Sequence, residues 1–203
     1  MPNRYIAIAG VMGSGKTTCA KILRKELGFP LLEERPQENP FLENFYKDMK
    51  RWALHCQLFY ALYKIRQNMQ AKSILARTSV IHDSPSGQDV VYAKTQQILG
   101  NFSADEYKLI DRVLNLHKPQ MIEPDLLIVL DAPIDLILKR ICVRGRCYEQ
   151  DVPKDYIVTL SRVQKKWIGQ YPKNKKIIIP MDKFDLKEKR HRDAFVKLVK
   201  TRL

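Results

Sequence analysis

The chain has 203 residues, of which 45% are hydrophobic, and 36 Lys and Arg outnumber 22 Asp and Glu for a formal charge of +14. That length supports one domain with a substantial core, and no apolar run approaches a membrane span. The start "MPNRYIAIAG" lacks the apolar segment and cleavage site of a secretory signal, and Cys19, Cys56, Cys142 and Cys147 form no CxxC pair, so a soluble cytoplasmic protein with free thiols is expected.

In chain order, "YIAIA" reads as a strand that ends at Gly10. The next stretch, "GVMGSGKTT", fits GxxxxGK[ST] with Gly10, Gly15, Lys16 and Thr17, and "TTCAKILRKEL" after it has helical character. A strand before and a helix after are the context in which this motif binds a nucleotide. Glycines let backbone N–H groups close around phosphate oxygens, with Gly13, Ser14 and Thr18 completing the loop. Lys16 supplies charge to the β and γ phosphates, and Thr17 is positioned to ligate magnesium. ATP or GTP binding follows. No NKxD element and no DxxG after a strand are present, which argues against a GTPase.

The second strand is "PLLEE", followed by the turn-rich "ERPQENP"; a long helix is then predicted from about Lys50 to Leu75, with Trp52, Leu54, Leu58, Leu62 and Ile65 at helical spacing. "SVIHD" is a third strand and "SPSGQD" a loop, and "DLLIVLDAP" is a fourth strand leading into a helix near Ala132 with Pro133 in its first turn. "LKRICVRGRCYEQD" then gathers Arg140, Arg144 and Arg146 around Gly145 before turning acidic at Glu149 and Asp151. Taken alone, it reads equally as a solvated basic face, a nucleic-acid contact or a clamp on phosphate. "KIIIPMD" is the fifth strand. Strands alternating with helices predict a parallel sheet covered by helices, with loops at the carboxyl ends of strands around the ligand crevice. The positive charge belongs to the last third, where residues 139–203 hold 19 Lys and Arg against 7 Asp and Glu. For runs such as "KNKK" and "KEKRHR" a solvated face is the ordinary explanation, and a polynucleotide surface is the rival.

Three further segments occur in the order and spacing of a known family. "LLEERPQENPFLENFY" carries Glu34 five residues before Asn39, Tyr46 and Gln57 lie eleven residues apart, and "RICVRGRCYEQDVPKDYIVTL" follows an RxxxRGRxxE pattern. From about Tyr5 to Asp182 the chain resembles the deoxynucleoside kinase family, the deoxycytidine, deoxyguanosine and deoxyadenosine kinases. The resemblance implies one kinase domain over 1–203, a doubly wound α/β fold with a five-stranded parallel sheet and helices on both faces, and an arginine lid at about 140–152. It implies transfer of the γ-phosphoryl of ATP, with Mg2+, to the 5′-hydroxyl of a deoxynucleoside, and a homodimer.

The roles follow residue by residue. Glu34 corresponds to the general base, with Glu33 on the opposite strand face as its rival. The resemblance implies that Tyr46 would contact the sugar and Gln57 read the base, that Arg140, Arg144 and Arg146 would meet the phosphates, and that Glu149 would accept from the 3′-hydroxyl. Two positions depart from the pattern. Lys64 stands where relatives using cytosine or purines carry arginine, and "VIHDSPSGQD" lacks the arginine expected after the third strand. One register puts Asp83 beside the metal with Thr17, Ser84 in the arginine's place and Asp89 at the base; the other puts His82, Asp83 and Gln88 there. The first is preferred, since Asp83 is the only carboxylate at that strand end able to help hold magnesium; under it, Lys64 and Asp89 occupy positions where relatives that accept deoxyadenosine, deoxyguanosine or deoxycytidine carry a charged pair, which favours these over thymidine, with "ENPFLENFY" leaning towards purines. A monophosphate kinase of the thymidylate kinase type and a basic P-loop protein that binds polynucleotides are the alternatives.

Overall fold

A computed structural model of the chain describes residues 2–203. The five apolar runs become β1 (Tyr5–Ala9), β2 (Leu31–Glu33), β3 (Val80–Asp83), β4 (Leu126–Asp131) and β5 (Lys176–Pro180). They form one parallel sheet in the order β2-β3-β1-β4-β5. The chain leaves β1 first to one side and later to the other, so the order reverses at β1. Ligand crevices of open parallel sheets lie at the carboxyl end of such a switch point.

Among the described residues eight α-helices connect and cover the strands: α1 (Lys16–Leu27), α2 (Leu42–Lys47), α3 (Met49–Leu75), α4 (Gln88–Ile98), α5 (Ala104–His117), α6 (Ile134–Arg144), α7 (Lys154–Gly169) and α8 (Lys189–Lys200). Alternation along the strands sends side chains to two faces. Ile6, Ile8, Ile81, Leu126 and Ile128 pack in one cluster with Leu23 of α1, Ile137 of α6 and Phe195 of α8. Tyr5, Ala7, Ala9, Val80, Leu127 and Val129 pack in a second with Ala71 of α3 and Ile168 of α7. Both faces are buried, which is why the strands read as continuous apolar runs rather than as alternating ones.

Two details differ from the sequence reading. Pro133 caps α6 from outside and the helix begins at Ile134, because a residue before the first turn needs no N–H. On the predicted apolar stripe of α3, Ile65 is buried and Trp52, Leu54 and Leu58 pack against the core, but Leu62 is 53% exposed, and Gln57, Lys64, Gln67 and Asn68 are buried with Ala53, Cys56 and Ala61. The inner face of this helix walls a polar cleft at Gln57 and Lys64 as well as packing on the core through Ala53, Cys56 and Ala71. Cys19 and Cys56 are buried and Cys142 and Cys147 exposed, all as free thiols. Among the described residues no helix is long and apolar enough to cross a membrane.

Candidate active site

The turn after β1 is built for close approach. Gly13 and Gly15 have φ of 77° and 104°, the left-handed region that side chains disfavour. A Cβ at Gly10 would stand 2.3 Å from Ser14 Oγ. Gly15 caps α1, whose first N–H groups have no intrahelical partner and face an anion favourably. Lys16 folds back, its Nζ donating to Gly10 O at 2.8 Å and Val11 O at 3.2 Å. Arg140 of α6 donates to Ser14 O at 2.9 Å. Gln88, at the start of α4, accepts from Gly10 N at 3.3 Å and donates back to Gly10 O. That amide pins the loop from across the cleft; no local pattern in the sequence identifies it.

The end of β3 meets the same loop. Thr17 Oγ1 donates to Asp83 Oδ2 at 2.8 Å, and Asp83 Oδ1 is buried without a partner. Burial pushes the Asp83 carboxyl up, and Lys16 opposes that shift. A carboxylate oxygen in want of a partner beside a threonine hydroxyl suits a hard cation. Among the described residues no cluster of three or more His, Cys, Asp or Glu forms a metal cage.

On the acceptor side, the end of β2 separates its two glutamates. Glu33 pairs with the exposed Lys21 at 3.1 Å, whereas Glu34 pairs with buried Lys64 at 2.8 Å and accepts from Ser84 Oγ at 3.2 Å. Burial pushes the Glu34 carboxyl up, but Lys64 and then Lys16 bring it below its ordinary value. Tyr46 stacks on Tyr148 with ring centroids 5.7 Å apart, and its hydroxyl donates to Met12 Sδ at 3.6 Å. Gln57 is 4% exposed. Asp89 accepts from Gly87 N at 2.7 Å through Oδ1, and its Oδ2 is buried without a partner. Burial pushes its carboxyl up to about 6.

At the lid, Gly145 takes φ 68° at the end of α6, so the chain reverses between Arg144 and Arg146. Both guanidinium groups pair with buried Glu149, Arg146 at 3.2 Å. One cleft of about 1180 Å³ joins these parts, with Lys16, Thr17, Glu34, Asp83, Arg140 and Arg144 on its wall together with Tyr46, Gln57, Lys64, Asp89, Arg146 and Glu149.

The structure thus brings the sequence-predicted residues to one place, except the buried Gly10 and Ser14, which shape the loop from beneath, and His82, named only in the second register. It also alters two expectations. Lys64 is not paired with Asp89; its ammonium is taken by Glu34. Arg144 and Arg146 converge on Glu149, because a nearly buried carboxylate requires cations beside it. In the β3 loop, His82 faces away from the cleft, between Tyr5 and Gln67, and Gln88 is engaged by Gly10. Asp83 and Asp89 are the two carboxylates that face the cleft, as in the first register. Tyr148, which stacks on Tyr46, was not singled out from sequence, since neither spacing nor periodicity marks it.

Comparison with known proteins agrees with this geometry. The model of the family described as deoxynucleoside kinase matches residues 6–203. A deoxyadenosine/deoxycytidine kinase of Bacillus subtilis is 29% identical over 187 residues, 91% of this chain and 85% of that one. A deoxyguanosine kinase of Lactobacillus johnsonii is 31% identical over 189 residues, covering 89% and 83%. The solved structure of deoxyadenosine kinase from M. mycoides with dCMP and dCDP bound superposes with a TM-score of 0.86 at 25% identity, over 97% of this chain and 99% of that chain. With a phosphate loop, a strand-end carboxylate and an arginine lid opening on one cleft, and a match along nearly its whole length, the chain belongs to the deoxynucleoside kinase family.

Proposed function

We propose that this kinase moves the γ-phosphoryl group of ATP to the 5′-hydroxyl of a deoxynucleoside and prefers deoxyadenosine, deoxyguanosine or deoxycytidine to thymidine. The observation that carries this reading is the single cleft in which a phosphate loop faces a separate acceptor wall ending in Glu34. Glu34, ionised beside Lys64, accepts the proton of the attacking hydroxyl. Lys16, Arg140, Arg144 and Arg146 neutralise charge on the transferring phosphoryl group, which needs positioning and electrostatic stabilisation more than covalent help. Thr17 and Asp83 would hold magnesium, which supplies divalent charge to the phosphate oxygens. Tyr46 and Glu149 hold the sugar, and Gln57 reads one edge of the base.

Asp89 supports the base preference. Its unpartnered Oδ2 accepts a hydrogen bond from the exocyclic amine of adenine or cytosine, whereas guanine and thymine both offer a carbonyl there, so Asp89 supports deoxyadenosine and deoxycytidine over thymidine, and deoxyguanosine rests on the relatives. Leaving a buried acceptor unpaired costs about 1 to 3 kcal/mol. The names of the Bacillus and Lactobacillus relatives point the same way. We place the protein in the cytoplasm as a homodimer. The surface for a second copy is on α3 and α5, where Leu62, Met69, Leu109 and Leu116 are exposed.

One assay panel tests the reading: ATP with each of the four deoxynucleosides and each of their monophosphates, with the phosphorylated product measured. Deoxynucleoside monophosphates as products, with thymidine the poorest acceptor, are expected. Turnover of monophosphates alone would favour the thymidylate kinase type. Salt-sensitive retention of DNA without nucleoside turnover would favour a polynucleotide binder.

A further inference from the structure

Lys64 is 3% exposed, and its Nζ lies 2.8 Å from Glu34 Oε2, 3.0 Å from Ser84 O and 3.3 Å from Gln67 Oε1. An ammonium has three N–H donors and no acceptor. Three protein acceptors therefore occupy all of its hydrogens, and none remains for a base edge.

The partner atoms are themselves held. Since an ammonium only donates, the Gln67 atom facing it is the amide oxygen. His82 Nε2, 3.1 Å from that same oxygen, must then carry the proton, and its Nδ1 accepts from Tyr5 OH at 2.8 Å. Burial holds His82 well below its ordinary pKa, so the ring is neutral, as this arrangement requires. The Gln67 amide nitrogen donates to Glu33 O at 3.1 Å, next to Glu34 in the chain. A closed network thus runs from β1 through β3 and α3 to the end of β2, and Lys64 is its terminus beside the carboxylate.

We propose that Lys64 is a positioning residue that fixes the Glu34 carboxylate for proton acceptance, and that it takes no part in reading the base. The inference rests on Glu34 being the base. The other groups that face Glu34 do not substitute for Lys64. Lys16 of α1 is engaged by Gly10 O and Val11 O. Asp83 at the end of β3 has the wrong sign, and Cys56 and Tyr60 of α3 and Tyr92 of α4 are pushed up by burial and stay neutral.

The test is Lys64→Met, assayed with all four deoxynucleosides from about pH 5 to about pH 9, a range wide enough to expose the limb set by the base. The expected result is a fall in kcat of about 10- to 100-fold at neutral pH, within what a general base contributes. The acid limb of kcat/KM should move to higher pH, and the ranking of the four bases should not change. In a Glu34→Gln background Lys64→Met should add less than about threefold, because residues acting through one another are not additive. A changed base ranking with an unmoved acid limb, or losses that multiply, would overturn the proposal. A Glu34→Gln enzyme that kept full activity would overturn the reading beneath it instead. Should Lys64→Met fail to fold, Gln67→Met keeps both charges and removes one of the ammonium's acceptors. It should shift the acid limb less, in the same direction and with the ranking intact, and an unmoved limb there also overturns the proposal.

Discussion

Asp89 shows how burial and function compete at one side chain. Folding raises its pKa from 3.8 to about 6, so the native state binds the proton more tightly than the unfolded chain. Stability therefore falls as pH rises between those two values and stays lower above them. Asp89→Asn keeps an oxygen for Gly87 N–H and has no charge to desolvate. It should be more stable than the parent by about 1 to 3 kcal/mol near pH 7.5, and the gain should vanish near pH 3.5. Thermal melts at both pH values check this; an equal gain at both would mean that charge burial is not the cause. At Glu34, Glu34→Gln should preserve the fold and ATP binding but lower kcat by about 10² to 10⁴, while Glu33→Gln, which loses only an exposed pair with Lys21, should change it little. Steady-state kinetics of the two variants decide between the neighbouring glutamates. The reverse result would assign the base to the other strand face.

At the scale of elements, α6 and the turn after it carry the lid. Arg140 is bound to the phosphate loop, while Arg144 and Arg146 converge on Glu149 beyond Gly145. This arrangement keeps two guanidinium groups at the cleft by giving them a buried carboxylate to neutralise. Arg144→Ala and Arg146→Ala should each lower kcat by on the order of 10³, with a much smaller change in KM for the nucleoside, because the charge they meet develops during transfer. Comparing kcat and KM for the two variants tests this, and a loss confined to KM would make the lid a binding device only. The inner face of α3 is the second such element. Its buried Gln57, Lys64 and Gln67 interrupt the apolar periodicity, and Leu62, at helical spacing with the others, faces outward.

At the scale of the molecule, the sheet order reverses at β1 and sets the phosphate loop opposite β2 and β3 across one cleft. The exposed apolar residues of α3 and α5, Leu62, Met69, Leu109 and Leu116, do not line that cleft. Light scattering should give the mass of a dimer, and Leu62→Asp with Leu116→Asp should yield a monomer that still binds ATP. A wild-type monomer at micromolar concentration would remove the dimer from the reading. The surplus of positive charge in the last third stays largely on exposed residues of α8 and the segment around β5, as a solvated face would.

The five strands, the phosphate loop, the long α3 and the arginine-rich lid were legible in the sequence because each is written in a contiguous stretch. Apolar runs, a glycine motif and helical spacing depend on neighbours along the chain. The register after β3 and the choice between Glu33 and Glu34 were only narrowed by sequence, since they turn on which face of a strand meets the cleft. Tertiary structure alone decided that Gln88 clamps Gly10, that Arg144 and Arg146 neutralise Glu149, and that Lys64 belongs to Glu34 rather than to Asp89. Two of these contacts join residues far apart in sequence, with 78 positions between Gly10 and Gln88 and 30 between Glu34 and Lys64, whereas the pairs with Glu149 are close along the chain. A buried charge takes whatever partner the packing brings within reach, because leaving it unpaired costs several kcal/mol, roughly 3 to 5. That partner is chosen by the fold and leaves no local pattern to read.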